Sequence, residues 1–291
     1  MIGELFSVVA PVFICAGIGF AWEKFGRGYD VDLVTNLVTT VGAPCLVFHT
    51  LANLEVDREA FATIVGAAVA ALAVFAALGA LILRLARLPQ RSYLPALMFP
   101  NVGNVGVPIN YLAFGDLGLA LAIGVFTVYV VGQFTVGVAI ASGTVSLKAL
   151  ARLPLLYALA AALVFMVSGT VPPEWINATT DLLGGLTIPL MLITLGISLA
   201  RLKVASVPRS VALSVLRLVM GFAVGVALAW ALGLEGAVRG VFIIEMAMPV
   251  AVFNYLFAQR YKTAPEEVAG MVVMSTALTF ATLPLLLWFA L

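Results

Sequence analysis

Long apolar runs fill the chain from end to end, each closed by a short cluster of charged residues, glycine or proline. They predict helices at roughly 3–22, 32–53, 60–83, 92–113, 117–141, 154–171, 176–199, 207–232, 236–258 and 266–290. A helix needs about 20 apolar residues to cross the hydrocarbon of a bilayer, so the pattern predicts ten spans with short loops. No polar stretch leaves room for a soluble domain, and the central connection is only residues 142–153. Span four departs from the pattern. Its stretch from Pro100 to Asn110 holds two prolines, two glycines and three asparagines in eleven residues. A helix facing lipid cannot lose that many backbone hydrogen bonds. Broken backbone at membrane depth is tolerated only where protein buries it or it lines a cavity. Interrupted spans of this kind mark the binding sites of transporters.

Composition agrees. Of 291 residues, 63% are hydrophobic and only 10% charged, against about a quarter charged in a soluble domain. The lipid bilayer is thus the first partner. A net charge of +1 without a basic run gives no reason to expect nucleic acid. Cys15 and Cys45 fall in apolar spans and read as small core residues, with no disulfide framework or metal spacing. The first apolar run lacks a charged n-region and a cleavage site, so it reads as a retained span. No nucleophile elbow, phosphate loop, HExxH or paired catalytic carboxylates occur, which argues against an enzyme and against a nucleotide-driven pump.

Basic residues fix the expected orientation. With these spans, Lys24, Arg27, Arg84, Arg87, Arg91, Lys148, Arg152, Arg201, Lys203, Arg209, Arg260 and Lys262 share one side, and only Arg58 and Arg239 the other. Loop Lys and Arg stay cytoplasmic, so both termini are expected outside. The halves also echo each other. Pro44 in span two and Pro189 in span seven lie 145 apart, while Pro108 in span four and Asn254 in span nine lie 146 apart. Pro11 and Pro154 stand near the starts of spans one and six. Five spans per half is odd, so residues 1–141 and 154–291 form inverted repeats, the architecture of secondary transporters.

These motifs resemble the auxin efflux carrier family over essentially the whole chain. They are Gly-Ala-Pro44-Cys-Leu-Val-Phe in span two, Asn101-Val-Gly-Asn104-Val-Gly106-Val-Pro108 in span four, Ile-Pro189-Leu with Leu-Gly196-Ile-Ser in span seven, and Met248-Pro249 followed by Phe257-Ala-Gln-Arg-Tyr261 in span nine. The resemblance implies an all-α membrane protein of two inverted five-helix repeats, like the sodium/bile-acid symporter fold. Spans four and nine would be broken and cross at mid-membrane. A scaffold of spans one, two, six and seven would support a transport domain of spans three to five and eight to ten, and could also dimerise the protein. Family members move organic anions, auxin in plants and dicarboxylates such as malate or malonate in bacteria. Plant members carry a long central loop and often a second proline at the span-nine crossover. Here the loop is short and Asn254 stands in that place, so the chain looks bacterial in type, with the plasma membrane as its place.

Pro44, Pro100, Pro108, Pro189 and Pro249 are the expected helix breaks. Glu245, four residues before Pro249, is the sharpest single candidate. A carboxylate at bilayer depth costs roughly 3 kcal/mol on insertion scales, so it is paired, protonated or bound to a cation. With Asn101, Asn104 and Met248 it could form a Na⁺ site, since carboxylate and amide oxygens suit a hard cation. A protonated Glu245 is the rival, and an ion pair with Arg217 the structural alternative. Half-helix N-termini attract a carboxylate. Asn104, Val105, Gly106, Pro108 and Asn110, with Phe253, Asn254 and Tyr255, are therefore the expected substrate site, with Gln133 facing it. Gln133 and Asn110 could equally be helix–helix hydrogen bonders. His49, the lone histidine, suits a proton relay, a substrate contact or a hydrogen-bonded core position. Gly3, Gly17, Gly19, Gly221 and Gly225 read as close-packing positions, and Glu55, Asp57 and Glu59 as a solvated acidic loop. The function expected is alternating-access transport of small organic anions, Na⁺-coupled or not. The alternatives are a cation/proton exchanger or proton-coupled carrier using Glu245, and an intramembrane enzyme or receptor.

Overall fold

The computed structural model describes residues 2–53, 58–144, 151–202 and 206–291, without the side chains of 2–5 and 167. Glu55, Asp57, Lys148, Lys203 and the surroundings of Gly3 lie outside what is described. Every described element is a helix. They are α1 (Ile2–Lys24), α2 (Val31–Leu37), α3 (Ala43–Asn53), α4 (Arg58–Leu85), α5 (Gln90–Met98), α6 (Val107–Gly132), α7 (Val138–Ser142), α8 (Pro154–Ser168), α9 (Glu174–Gly185), α10 (Thr187–Arg201), α11 (Val207–Ala231), α12 (Gly236–Met246), α13 (Val252–Tyr261) and α14 (Pro265–Ala290). Three π-helical turns, Val38–Gly42, Val102–Gly106 and Gln133–Gly137, join α2 to α3, lead into α6 and join α6 to α7.

Seven helical runs among the described residues are long and apolar enough to cross a membrane. One of them, Val102–Ser142, has 41 residues. At 1.5 Å per residue that is about 60 Å, twice the hydrocarbon thickness. Gly115 divides it, with φ 63° and ψ −148°, a conformation open almost only to glycine. The sequence boundary between 113 and 117 therefore falls on a real bend.

Not every expected break is one. Pro100 and Pro249 lie outside any helix. Pro108 is the second residue of α6, Pro44 the second of α3 and Pro189 the third of α10. α3 and α6 continue directly from the π turns Val38–Gly42 and Val102–Gly106, and α10 follows α9 through Leu186 alone, so these three prolines lie inside continuous helical runs that they distort without breaking. The break in the span-nine region is Ala247–Ala251, upstream of Asn254, which sits inside α13.

The helices pack as two groups. In one, α1 lies on α10, while α3 packs on α8 and α9. In the other, α4 packs on α5, α6 and α11, α11 on α12 and α14, and α12 on α6. Each group draws helices from both halves of the chain. Small residues bring α1 and α10 together: a Cβ on Gly19 would stand 2.0 Å from the Ile193 carbonyl oxygen, and one on Gly196 would stand 1.9 Å from that of Ala16. Gly221 likewise meets the Met246 oxygen, whereas Gly17 faces open space and packs against nothing. Between the groups runs a dry seam of Val8 and Val12 from α1, Leu192 and Leu195 from α10, and Val105, Ile109, Ile244 and Met248. The outer face is apolar, with Phe6, Tyr157, Trp175, Leu182 and Trp230 more than 60% exposed. A water-facing protein does not display such a surface; a lipid-facing one does.

Candidate functional site

Two breaks meet at the centre. Met98 ends α5, and Phe99–Asn101 runs extended across Pro249–Ala251. Asn101 N–H donates to the Pro249 carbonyl at 2.7 Å and Ala251 N–H to that of Phe99 at 3.2 Å, so Pro100 and Val250 form a short antiparallel bridge. The bridge meets the demand that backbone polar groups at membrane depth be satisfied by protein. Side chains complete it. Val250 N–H donates to Ser275 Oγ at 3.0 Å, and Asn254 Nδ2 donates to the Phe99 carbonyl at 3.0 Å while its Oδ1 accepts from Gln133 Nε2 at 3.1 Å. Gln133 and Asn254 are thus the helix–helix hydrogen-bond pair that was one of two readings for Gln133.

A cavity of about 310 Å³ opens beside the bridge. All three π turns contribute to its wall, through Val38, Thr39 and Thr40, through Val102, Gly103 and Asn104, and through Gln133 and Phe134. Single π turns inside α-helices recur at functional sites. Asn101 and Asn104, Pro100, Ala251 and Phe253 line it, so the helices downstream of both breaks start at this cavity. Their opening N–H groups lack carbonyls one turn back and carry the positive end of the helix dipole. Asn101 Oδ1 takes one of them, from Asn104 at 3.2 Å, but Asn101 Nδ2 is buried with no hydrogen-bond partner. The remaining lining combines an aromatic and apolar part (Phe126, Val130, Phe134, Met191) with a polar part from Thr35, Asn36, Thr39, Thr40 and Thr194, and Arg152 is its one charged residue among those described. Sequence reasoning took Arg152 only as a cytoplasmic charge and passed over Thr35, Asn36, Thr39 and Thr40. The polarity of that last cluster, set in an apolar span, was the available signal. Ser275 gave no signal at all.

The other expected substrate residues lie behind this wall. Val105 and Met248 are in the dry seam. Tyr255 is half-buried against the core. Gly106 and Asn110 face Glu245, not the cavity. Asn110 Nδ2 donates to Glu245 Oε1 at 2.8 Å and to the Gly106 carbonyl at 3.0 Å. A Cβ on Gly106 would stand 2.1 Å from Glu245 Oε2. Glu245 is fully buried, and its Oε2 and the Oδ1 of Asn110 lack partners. The expected group of Asn101, Asn104, Glu245 and Met248 is thus divided: Glu245 meets Asn110, whereas Asn101 turns to Asn104. Among the described residues no cluster of three or more His, Cys, Asp or Glu could hold a metal. Arg217 does not pair with Glu245. It is fully buried, donates from Nη2 to the Met246 carbonyl at 3.0 Å, and stacks over Phe75 at 4.7 Å. It thereby caps the C-terminal, negative end of α12, where a cation is favoured.

A second cavity, about 490 Å³, lies toward the opposite ends of α2–α3 and α9–α10. His49 lines it with Asn53, Asp116 and Asp181 rather than sitting in the core, its Nε2 3.6 Å from Asp181 Oδ1.

An all-helical, lipid-faced chain with a broken-helix crossing beside a cavity is an integral membrane protein of the transporter class. Residues 137–288 match the family described as membrane transport protein. The chain belongs to this family, the auxin efflux carriers that its motifs resemble. It is 27% identical over 202 residues to an uncharacterized transporter of Methanocaldococcus jannaschii, covering 66% of this chain and 65% of that one. It is also 27% identical over 191 residues to an uncharacterized transporter of Methanothermobacter thermautotrophicus, covering 64% and 63%. The match spans just under two thirds of either relative's length.

Proposed function

We propose that the protein is a secondary transporter of small organic anions, working by alternating access, with ten spans arranged as two inverted five-helix repeats. One observation carries the anion: the cavity at the crossing is lined by Asn101, whose Nδ2 has no partner, and by the starts of two helices, and among the described residues no carboxylate lines it. Packing supports the inversion. The first span lies on the seventh and, correspondingly, the sixth on the second. Likewise the third packs on the fifth and the eighth on the tenth. A pseudo-two-fold axis generates such matched pairs. Two cavities at opposite ends of one seam, with a dry plug between them, suit a site exposed to each side in turn. Most described basic loop residues, among them Arg27, Arg84, Arg91 and Arg201, fall on the side of the first cavity. The retention of loop Lys and Arg on the cytoplasmic side supports this cavity facing the cytoplasm and both termini lying outside. The exposed apolar faces of α1 and α8 are where a homodimer would form.

Coupling, in this reading, centres on Glu245 and Asn110. A proton on Glu245 Oε2 would let it donate to Asn110 Oδ1, giving both orphan oxygens a partner. A Na⁺ ion would use the same two oxygens, but only one carboxylate is present, and hard cations take about six oxygens. The geometry therefore favours H⁺ over Na⁺, and a carrier over an exchanger, which would call for more than one acid at the crossing. The test is uptake of labelled mono- and dicarboxylates into vesicles holding purified protein, with and without Na⁺ and with an imposed pH gradient. Saturable carboxylate uptake is expected. Pure Na⁺/H⁺ exchange with no organic flux would overturn the proposal.

A further inference from the structure

The sole charged group among the described residues on the wall of the first cavity lies outside both half-helices of the crossing. Arg152 precedes α8, contributed by the short connection between the two halves of the chain. It is exposed, and its guanidinium makes no hydrogen bond or ion pair with any described residue. A guanidinium presents five donors in a fork that fits a carboxylate in bidentate fashion. Unpartnered beside a cavity without acidic residues, it offers a second anion contact, separate from the Asn101 amide and the opening N–H groups of the π turn Val102–Gly106. One cavity lined both by Asn101 with its π turn and by a guanidinium suits a molecule with two anionic groups.

We propose that Arg152 is the specificity residue that makes this site select dicarboxylates over monocarboxylates. The first carboxylate sits at Asn101 and the π-turn amides, the second at the Arg152 guanidinium. This rests on the anion reading of the cavity above. Because Arg152 comes from the connection and not from the crossing, it adds discrimination without altering the site that every carboxylate shares. The same position makes the short central connection part of the binding site and not only a tether.

The test compares succinate with butyrate, four-carbon acids that differ by one carboxylate, binding to the full-length protein in detergent or nanodiscs by calorimetry. The wild type is expected to bind succinate at least about tenfold more tightly. One charge-assisted bidentate contact, about 1.5–3 kcal/mol, corresponds to that factor or more. In Arg152→Gln the preference should fall to within about twofold, because succinate loses more affinity than butyrate does. Arg152→Lys should keep part of it, as a point charge without the fork. Arg152 is exposed, so these variants should fold, and a monodisperse chromatographic profile checks that they do. Equal wild-type affinity for the two acids would overturn the inference, as would an Arg152→Gln variant that loses both in parallel or neither. Folded wild type that binds no carboxylate at all would instead overturn the anion reading beneath it.

Discussion

Glu245 shows how much a single buried atom can decide. Its Oε1 is held by Asn110 and its Oε2 is packed against the one residue, Gly106, whose lack of a side chain leaves room for it. Gln at 245 can donate to Asn110 Oδ1 as a protonated acid would. Glu245→Gln is therefore expected to keep its thermal stability in detergent while transport loses its response to pH. A variant whose uptake still follows the pH gradient as the wild type does would remove Glu245 from coupling. Gly106→Ala should be far more damaging, since the new methyl group overlaps the carboxylate. Overpacking of this kind costs about 1–3 kcal/mol, read as a lower melting temperature. Glu245 was legible in the sequence because a carboxylate in an apolar span needs a reason. Its partner was not: Asn101, Asn104 and Asn110 are chemically alike, and only the helical phase of α6 decides which of them reaches α12.

At the scale of elements, the crossing depends on groups that the two broken spans supply to each other. Asn254 is the clearest case, because one side chain satisfies the Phe99 carbonyl and Gln133 together. Asn254→Ala leaves the buried Gln133 Nε2 without its partner, at about 1–3 kcal/mol, and leaves the Phe99 carbonyl with the Ala251 N–H alone. We expect a drop in thermal stability and a loss of transport even in the fraction that stays folded. Recovery of full transport in Asn254→Ala would show that the amide is dispensable to the crossing. The breaks at Pro100 and Pro249 were readable from the chain, because proline in mid-span frees backbone groups that lipid cannot satisfy. Pro44, Pro108 and Pro189 carry the same residue type but lie inside continuous helical runs, the first two just after a π turn. Whether a proline breaks a helix or is absorbed by a local distortion depends on its neighbours, so the residue alone could not separate the two cases.

The whole molecule offers two cavities along one seam, one with Arg152 and no acid, the other with Asp116 and Asp181. In a background with Cys15 and Cys45 replaced by Ser, we expect Thr39→Cys to react with a polar thiol reagent from the cytoplasmic side and Thr180→Cys from the outer side. A transported anion should shift the two reactivities in opposite directions. Parallel changes, or labelling of both from one side, would be incompatible with alternating access. The α1–α10 pair supplies a control on the rigid group: Gly196→Leu should separate these helices and abolish folding, since even a methyl there meets the Ala16 carbonyl.

Sequence by itself determined that this chain lives in a membrane and that its backbone is interrupted near Pro100 and Pro249, because lipid punishes charge and unpaired backbone at every position regardless of fold. It also showed the echo between halves, since repeated prolines at matched spacing need no coordinates to be seen. Only the tertiary structure decided which polar groups meet. It separated Asn101 from Glu245, set Arg217 at the end of α12 instead of beside the acid, drew Gln133 to Asn254 and brought Arg152 to the cavity. Those pairings depend on the rotation of each helix about its axis and on how helices from opposite halves cross, and a shift of one residue in either would have changed every partner.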